Sequence, residues 1–311
     1  MSGLAAGLSD IMGSAFNPVV SPVVSPVQLA TDPKDAGTFT GILDGLGVTP
    51  LGVWDVGHRL TSSYSGPLIR LIRASDSAEQ DFGFNADGTL DTASIATFLS
   101  ATTGDIVTIY DQIGSNDLTQ STAAAQPLYS VTGFNSGPTG DFDGSNHFMS
   151  ADAIAATFDG TDVPFTTLFP ARSDTLIASQ TIWCAGDASN NAPLDYHGIE
   201  ADGDWKDLRR GSGTANLGTV DANTDANIVT HYCPGATLSL WANETSQYDA
   251  AGYNIDGVFG VDRFSVGAAG QVSNTEFWNG AIAGGIVFNS AIDTTILAAL
   301  RTAYIALKGL S

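Results

Sequence analysis

The sequence predicts an all-β, jelly-roll antiparallel β-sandwich with an extended N-terminal arm and a C-terminal helix. Three features carry that expectation. From Thr38 onward, turn-forming Gly, Pro, Asn and Asp punctuate the chain roughly every ten residues. The intervals hold short β-branched or aromatic runs, and one segment of helical period lies at the C-terminal end. With 35 Gly and 12 Pro among 311 residues, the composition favours short strands and many turns. A hydrophobic content of 43% is enough for a large core.

Met1 to Ala15 carries scattered apolar residues (Leu4, Leu8, Ile11, Met12) with weak helical spacing. The next run sets Pro18, Pro22 and Pro26 four apart, with Val19, Val20, Val23, Val24 and Val27 between them. Proline fixes φ, removes a donor and pushes the preceding residue to extended geometry, so residues 1–37 read as an extended arm. The valines make a docking arm the favoured reading over a passive linker. Residues 38–311 form the sandwich domain.

Within the domain, Ser62–Arg73 holds a Ser-Gly-Pro turn followed by a strand. Asn85–Gly88 is a turn, and Leu90–Leu99 a short amphipathic helix capped near Asp91 or Thr92. Ile106–Tyr110 is a β-branched strand and Asp141–Asn146 a hairpin turn. Strand-like runs follow at Thr181–Ala185, Asn227–Cys233, Thr237–Ala242, Arg263–Gly267 and Ala281–Phe288. After Asp293, residues Ile296, Leu297, Leu300, Tyr304 and Leu307 repeat at helical spacing.

The charge is lopsided: 11 basic against 33 acidic residues, a net −22, with Glu only at 79, 200, 244 and 276. That describes a solvated, self-repelling surface and excludes nucleic acid as a partner, since no basic patch could offset phosphate repulsion. No stretch reaches the length of a membrane span, so no membrane partner is expected. Met1–Gly13 lacks a basic leader region, so export by a cleaved signal is not expected.

Candidate chemistry is sparse. Cys184 and Cys233 belong to no CxxC or Cys/His cluster, so no zinc is expected from them; pairing and two buried thiols both stay open. His58, His147, His197 and His231 are scattered and expected to be structural. Asp141, Asp143 and Asn146 resemble the start of a calcium loop but lack its later Glu, which favours a local turn. No metal or cofactor is expected. Glu200, Asp202, Asp204 and Asp207 form an acidic loop beside Trp205, either solvated or a site for a cation or a sugar. Trp183, Trp241 and Trp278 are further aromatic candidates for stacking on sugar, with burial the commoner fate. Arg70 and Arg73, with Asp76 and Asp111 nearby, read as structural ion pairs.

Arg59–Asp76, Tyr110–Gln120, Phe142–Ser145 and Phe264–Gly280, in that order, together with the closing helix, resemble the catalytic domain of α-L-arabinofuranosidase B. The resemblance runs from about Trp54 to Leu307 and implies a concanavalin-like jelly roll. Domains similar to this also occur in virion proteins of tailed bacteriophages behind a short unrelated N-terminus. The resemblance places the family's acid/base Asp at Gln271, within Gly267–Gln271, and an amide cannot donate a proton to a departing sugar. Its nucleophilic Glu has only Glu200 as a counterpart in the middle third, in a poorly matching block. Its Cys-Cys pair becomes Cys184 followed by Ala185.

These departures lead to the expectation of a non-enzymatic virion structural protein, a capsid decoration or tail component assembled in the host cytoplasm. Its partners would be other virion proteins and copies of itself. The alternatives are a host-glycan-binding module, using Trp205, Asp202, Asp204 and Glu200, and an arabinofuranosidase-type glycoside hydrolase.

Overall fold

The computed structural model describes residues 39–191, 194–210, 214–216, 221–252 and 259–311. The docking arm expected over residues 1–37 lies outside the described residues.

In chain order the strands of the first half are β1 (Gly52–Asp55), β2 (Ile69–Arg73), β3 (Glu79–Phe82), β4 (Gly104–Ile109), β5 (Leu118–Thr119), β6 (Leu128–Phe134), β7 (Gly137–Asp143), β8 (Met149–Ser150) and β9 (Phe165–Ser173). The second half adds β10 (Gln180–Gly186), β11 (Leu194–Ile199), β12 (Trp205–Arg210), β13 (Thr214–Asn216), β14 (Asn227–Cys233), β15 (Thr237–Ala242), β16 (Thr245–Gly252), β17 (Arg263–Val266), β18 (Asn279–Ile282) and β19 (Gly284–Phe288). Helix α1 spans Thr92–Leu99 and helix α2 Thr294–Leu307. None of the described helices is long and apolar enough to cross a membrane.

All pairings are antiparallel and resolve into two layers. One sheet runs β3–β2–β4–β5–β8–β17–β10–β11–β12–β13. The other centres on β9, which pairs with β14 on one side and with β18 and β19 on the other. From there it extends through β15 to β16, through β7 to β6, and through β19 to β1. A single pair, Asp105 with Leu128, joins the layers at β4 and β6. This is the antiparallel sandwich expected.

Alternation along each strand fixes what the layers enclose. Trp54, Phe169, Val229 and Val287 of one sheet meet Ile69, Ile106, Trp183 and Phe264 of the other in the main core. The opposite face of the β9 sheet, with Val53, Leu168, Ile228 and Ile286, is covered by Leu297, Leu300 and Tyr304 of α2. That helix starts where Asp293 accepts hydrogen bonds from the backbone N–H of Thr295 and Ile296, at 2.8 and 3.3 Å. It is also tied to β1: Tyr304 Oη and Lys308 Nζ both donate to the buried carboxylate of Asp55, at 2.8 and 2.9 Å.

The blocks that carried the resemblance are largely scaffolding. Asp111 accepts from the backbone N–H of Val53, Ile113 and Asn116. Gln112 accepts from Leu60 N and donates to His58 O, and Asn116 donates to Leu51 O. Together they pin the loop after β4 to the segment around β1. Arg70 grips Asp81 with two hydrogen bonds of 2.7 and 2.9 Å, and Arg73 grips Asp76 in the same way. Asp143 accepts from the backbone N–H of Ser145, Asn146 and His147, closing the turn as a local motif.

Candidate functional site

β10 and β11 set Cys184 opposite Tyr196, and β12 sets Leu208 opposite Tyr196 on the other side. With Leu194 and Ala269, these three form a small apolar cluster on the face of the sheet that turns away from the main core. The loop of residues 267–276 folds over it. Gly267 N donates to Ile182 O at 2.9 Å, Ala269 bridges Thr275, and Thr181 N donates to Glu276 O at 2.8 Å. Two glycines permit this close seating. Gly267 sits at φ +87°, where a Cβ would lie 2.3 Å from the Phe142 ring, and a Cβ on Gly186 would lie 2.3 Å from Gly270 O.

Under the loop lies the hydroxyl of Tyr196, which is 1% exposed and donates to Gln180 O at 3.0 Å. Burial above all, then the carboxylates of Glu276 and Glu200, push its pKa well above the ordinary tyrosine range. Glu200 ends β11. Its carboxylate accepts from Ser179 Oγ at 3.4 Å and pairs with Lys206, whose ammonium lies 5.1 Å from the Tyr196 ring centre. Glu276 approaches from the loop with a left-handed backbone, φ +51°, and it too is half-buried. Non-glycine residues held in that region concentrate at functional sites, because surrounding structure must impose the strain. Glu276 and Asp195 also act on Cys184, whose thiol burial pushes well above its ordinary range. The arrangement brings two carboxylates, a cation and a buried phenol to one rim of the sheet.

Of the residues expected to bind glycan, only Glu200 joins this rim. Trp205 is 3% exposed and packs into the main core, so its indole offers no stacking platform. Asp202 and Asp204 occupy the turn before β12, where Asp202 accepts from Asp204 N at 3.2 Å. Trp183 and Trp278 are buried, and Trp241 lies beneath the Arg301 guanidinium. Cys184 and Cys233 are both buried, on strands of different sheets. Gln271 does lie in the capping loop, and its side chain donates to Asn191 O at 3.3 Å. The loop's carboxylate stands five residues further on, at Glu276. Sequence reasoning missed Tyr196, Lys206 and Glu276. One signal was available: glutamate occurs at only four positions, and two of them meet here.

A family model described as "Alpha-L-arabinofuranosidase B, catalytic" matches residues 47–165. The chain carries a domain similar to that catalytic domain. Among solved structures, a GH54 α-L-arabinofuranosidase soaked with a cyclic sulfate inhibitor superposes with a TM-score of 0.65 at 17% identity. An arabinofuranosidase complexed with arabinofuranosyl-α-1,2-xylobiose gives 0.63 at 17%. A Glu-to-Gln variant of a GH54 enzyme soaked with 4-nitrophenyl α-L-arabinofuranoside gives 0.61 at 16%. Each likeness covers 86% of this chain, and the chain spans 64% of the length of those proteins. No curated protein matches.

These findings correct the expectation of a non-enzymatic virion protein. The matched model is a catalytic domain, and the structural likeness is to glycoside hydrolases, with nothing pointing to a phage origin, a capsid or a tail. The expectation rested on Gln271, on the poorly matching block around Glu200 and on Cys184 followed by Ala185, and it overlooked the carboxylate that the same loop carries five residues on, at Glu276.

Proposed function

We propose that the domain is an arabinofuranosidase-type glycoside hydrolase acting on terminal α-L-arabinofuranosyl groups, with Glu200 and Glu276 as its carboxyl pair. The observation that carries this reading is the placement of Glu200, paired with Lys206 beside the Tyr196 ring, and of Glu276, in the loop over the same cluster, in a domain similar to an arabinofuranosidase catalytic domain. Retaining hydrolysis needs one carboxylate as nucleophile and one carboxylic acid to protonate the leaving oxygen. Glu200, paired with Lys206, is assigned as the nucleophile. Glu276, carried by the loop that folds over the Cys184–Tyr196 cluster, is assigned as the acid/base.

In the first step a Glu200 oxygen bonds to the anomeric carbon as the glycosidic bond breaks, and Glu276 gives its proton to the departing oxygen. In the second, Glu276 takes a proton from water, whose oxygen displaces Glu200 and restores both groups.

The test is release of 4-nitrophenol from 4-nitrophenyl α-L-arabinofuranoside by the full chain. Glu200→Gln and Glu276→Gln are each expected to lower kcat at least about a hundredfold, the usual scale for losing an acid–base group. Binding of the arabinoside without turnover by the unaltered protein, or full activity in both variants, would sink the assignment.

A further inference from the structure

Between the two sheets lies a chain of polar side chains that the proposed hydrolysis does not use. Asp195 and His197 of β11 and Asp207 of β12 project inward from one sheet, and His231 of β14 and Thr167 of β9 from the other. Asp195, His197 and Thr167 are 0% exposed, and Asp207 and His231 1%. His197 Nδ1 lies 2.5 Å from Asp207 Oδ1, and His231 Nε2 lies 3.1 Å from the same oxygen. The three facing atoms, one nitrogen from each histidine and one carboxylate oxygen, all lie within 4.8 Å of one another.

We propose that His197, His231 and Asp207 bind one zinc ion that clips the two sheets together. Two imidazoles and a carboxylate are three of the four donors of a tetrahedral zinc site, water taking the fourth position, with bonds of about 2.0–2.2 Å and ligand atoms a little over 3 Å apart. The His231 contact already has that separation, and the His197 contact must open by under about 1 Å.

Two further observations point to an ion. First, each histidine is oriented by a partner on its other nitrogen: Asp195 Oδ1 lies 3.1 Å from His197 Nε2, and Thr167 Oγ1 lies 3.1 Å from His231 Nδ1. A carboxylate or hydroxyl behind a metal-bound imidazole fixes its tautomer and turns a lone pair toward the metal. Trp183, stacked 3.9 Å from the His197 ring, and Phe165, edge-on to it, hold its plane. Second, Asp207 Oδ2 is buried and has no hydrogen-bond partner among the described residues. A carboxylate oxygen stranded in a core costs its full desolvation, which a zinc ion drawing on both oxygens of Asp207 would offset. With its ligands 0–1% exposed and drawn from both sheets, the site exists only in the folded chain, so the ion's binding energy adds to folding.

The test uses the full chain. After expression with zinc and gel filtration, elemental mass spectrometry is expected to find one zinc per chain. Stripping with a strong chelator should lower the Tm, and zinc chloride alone should restore it. His231→Ala should hold no zinc and leave the Tm indifferent to it. Should that variant fail to fold, Asp195→Asn and Thr167→Val keep the three donors and are expected to weaken zinc binding about 10- to 100-fold. A folded, zinc-free protein whose Tm ignores added zinc would overturn the proposal and leave a hydrogen-bonded relay. Iron in place of zinc would overturn the tetrahedral assignment.

Discussion

Asp55 is wholly buried at the end of β1, and the donors that converge on it make that possible. Gly57 N and His58 N reach one oxygen at 2.9 and 2.8 Å, and Tyr304 Oη and Lys308 Nζ complete the set. Burial would raise its pKa, but the Lys308 ammonium and His58 outweigh it and hold the carboxyl down at about 2, below the ordinary 3.8. A carboxyl whose folded pKa is depressed adds stability that is whole above its unfolded value and is lost as pH falls through the folded one. Asp55→Asn should therefore be less stable than the unaltered protein at neutral pH, by about 3–5 kcal/mol as for a broken buried pair. The gap should narrow as pH falls from about 4 to about 2, measured as the difference in urea midpoint; a constant gap would contradict the assignment. Neither this site nor the Glu200–Glu276 rim is legible residue by residue. Tyr304 stands 249 positions from Asp55, and only the completed sheets bring them together.

Elements read more easily when their signals are local. The helix expected over Leu90–Leu99 forms as Thr92–Leu99, because Asp91 accepts from Ser94 N at 3.0 Å as its cap. The C-terminal helix was equally clear, and replacing its cap, Asp293→Ala, should cost about 1 kcal/mol in a thermal or urea melt. Strands were harder. Phe165–Ser173 is the centre of its sheet but contains Pro170, a residue that argues against an interior strand. β11 and β12 hide behind Asp195, His197 and Asp207, polar groups that face inward and break the expected alternation. The capping loop offers its own check. Gly186→Ala should push Gly270 off β10, costing about 1–3 kcal/mol as overpacking does. It should also lower turnover of the chromogenic arabinoside, and unchanged activity would separate the loop from the reaction.

At the scale of the molecule, the sandwich was legible because turn spacing and apolar runs are properties of the whole chain. The pairing order was not, since it depends on contacts between distant strands. A net charge of −22 pushes the folded surface apart, and salt screens that repulsion within about 10 Å at 0.1 M. The Tm is therefore expected to rise with sodium chloride between low and physiological ionic strength; a flat or falling Tm would show that the acids are already paired.

The seam between β1 and β19 carries a kinetic consequence. Gly52 pairs with Val287 and Asp55 with Gly284, so one of the first strands waits for nearly the last. Closing so long a loop must precede its reward, and chains dominated by distant pairings fold on the millisecond-to-second scale or slower. During synthesis, β1 emerges with a bare edge and stays so until β19 leaves the ribosome. An unpaired strand edge of this kind favours aggregation for as long as translation keeps its partner away.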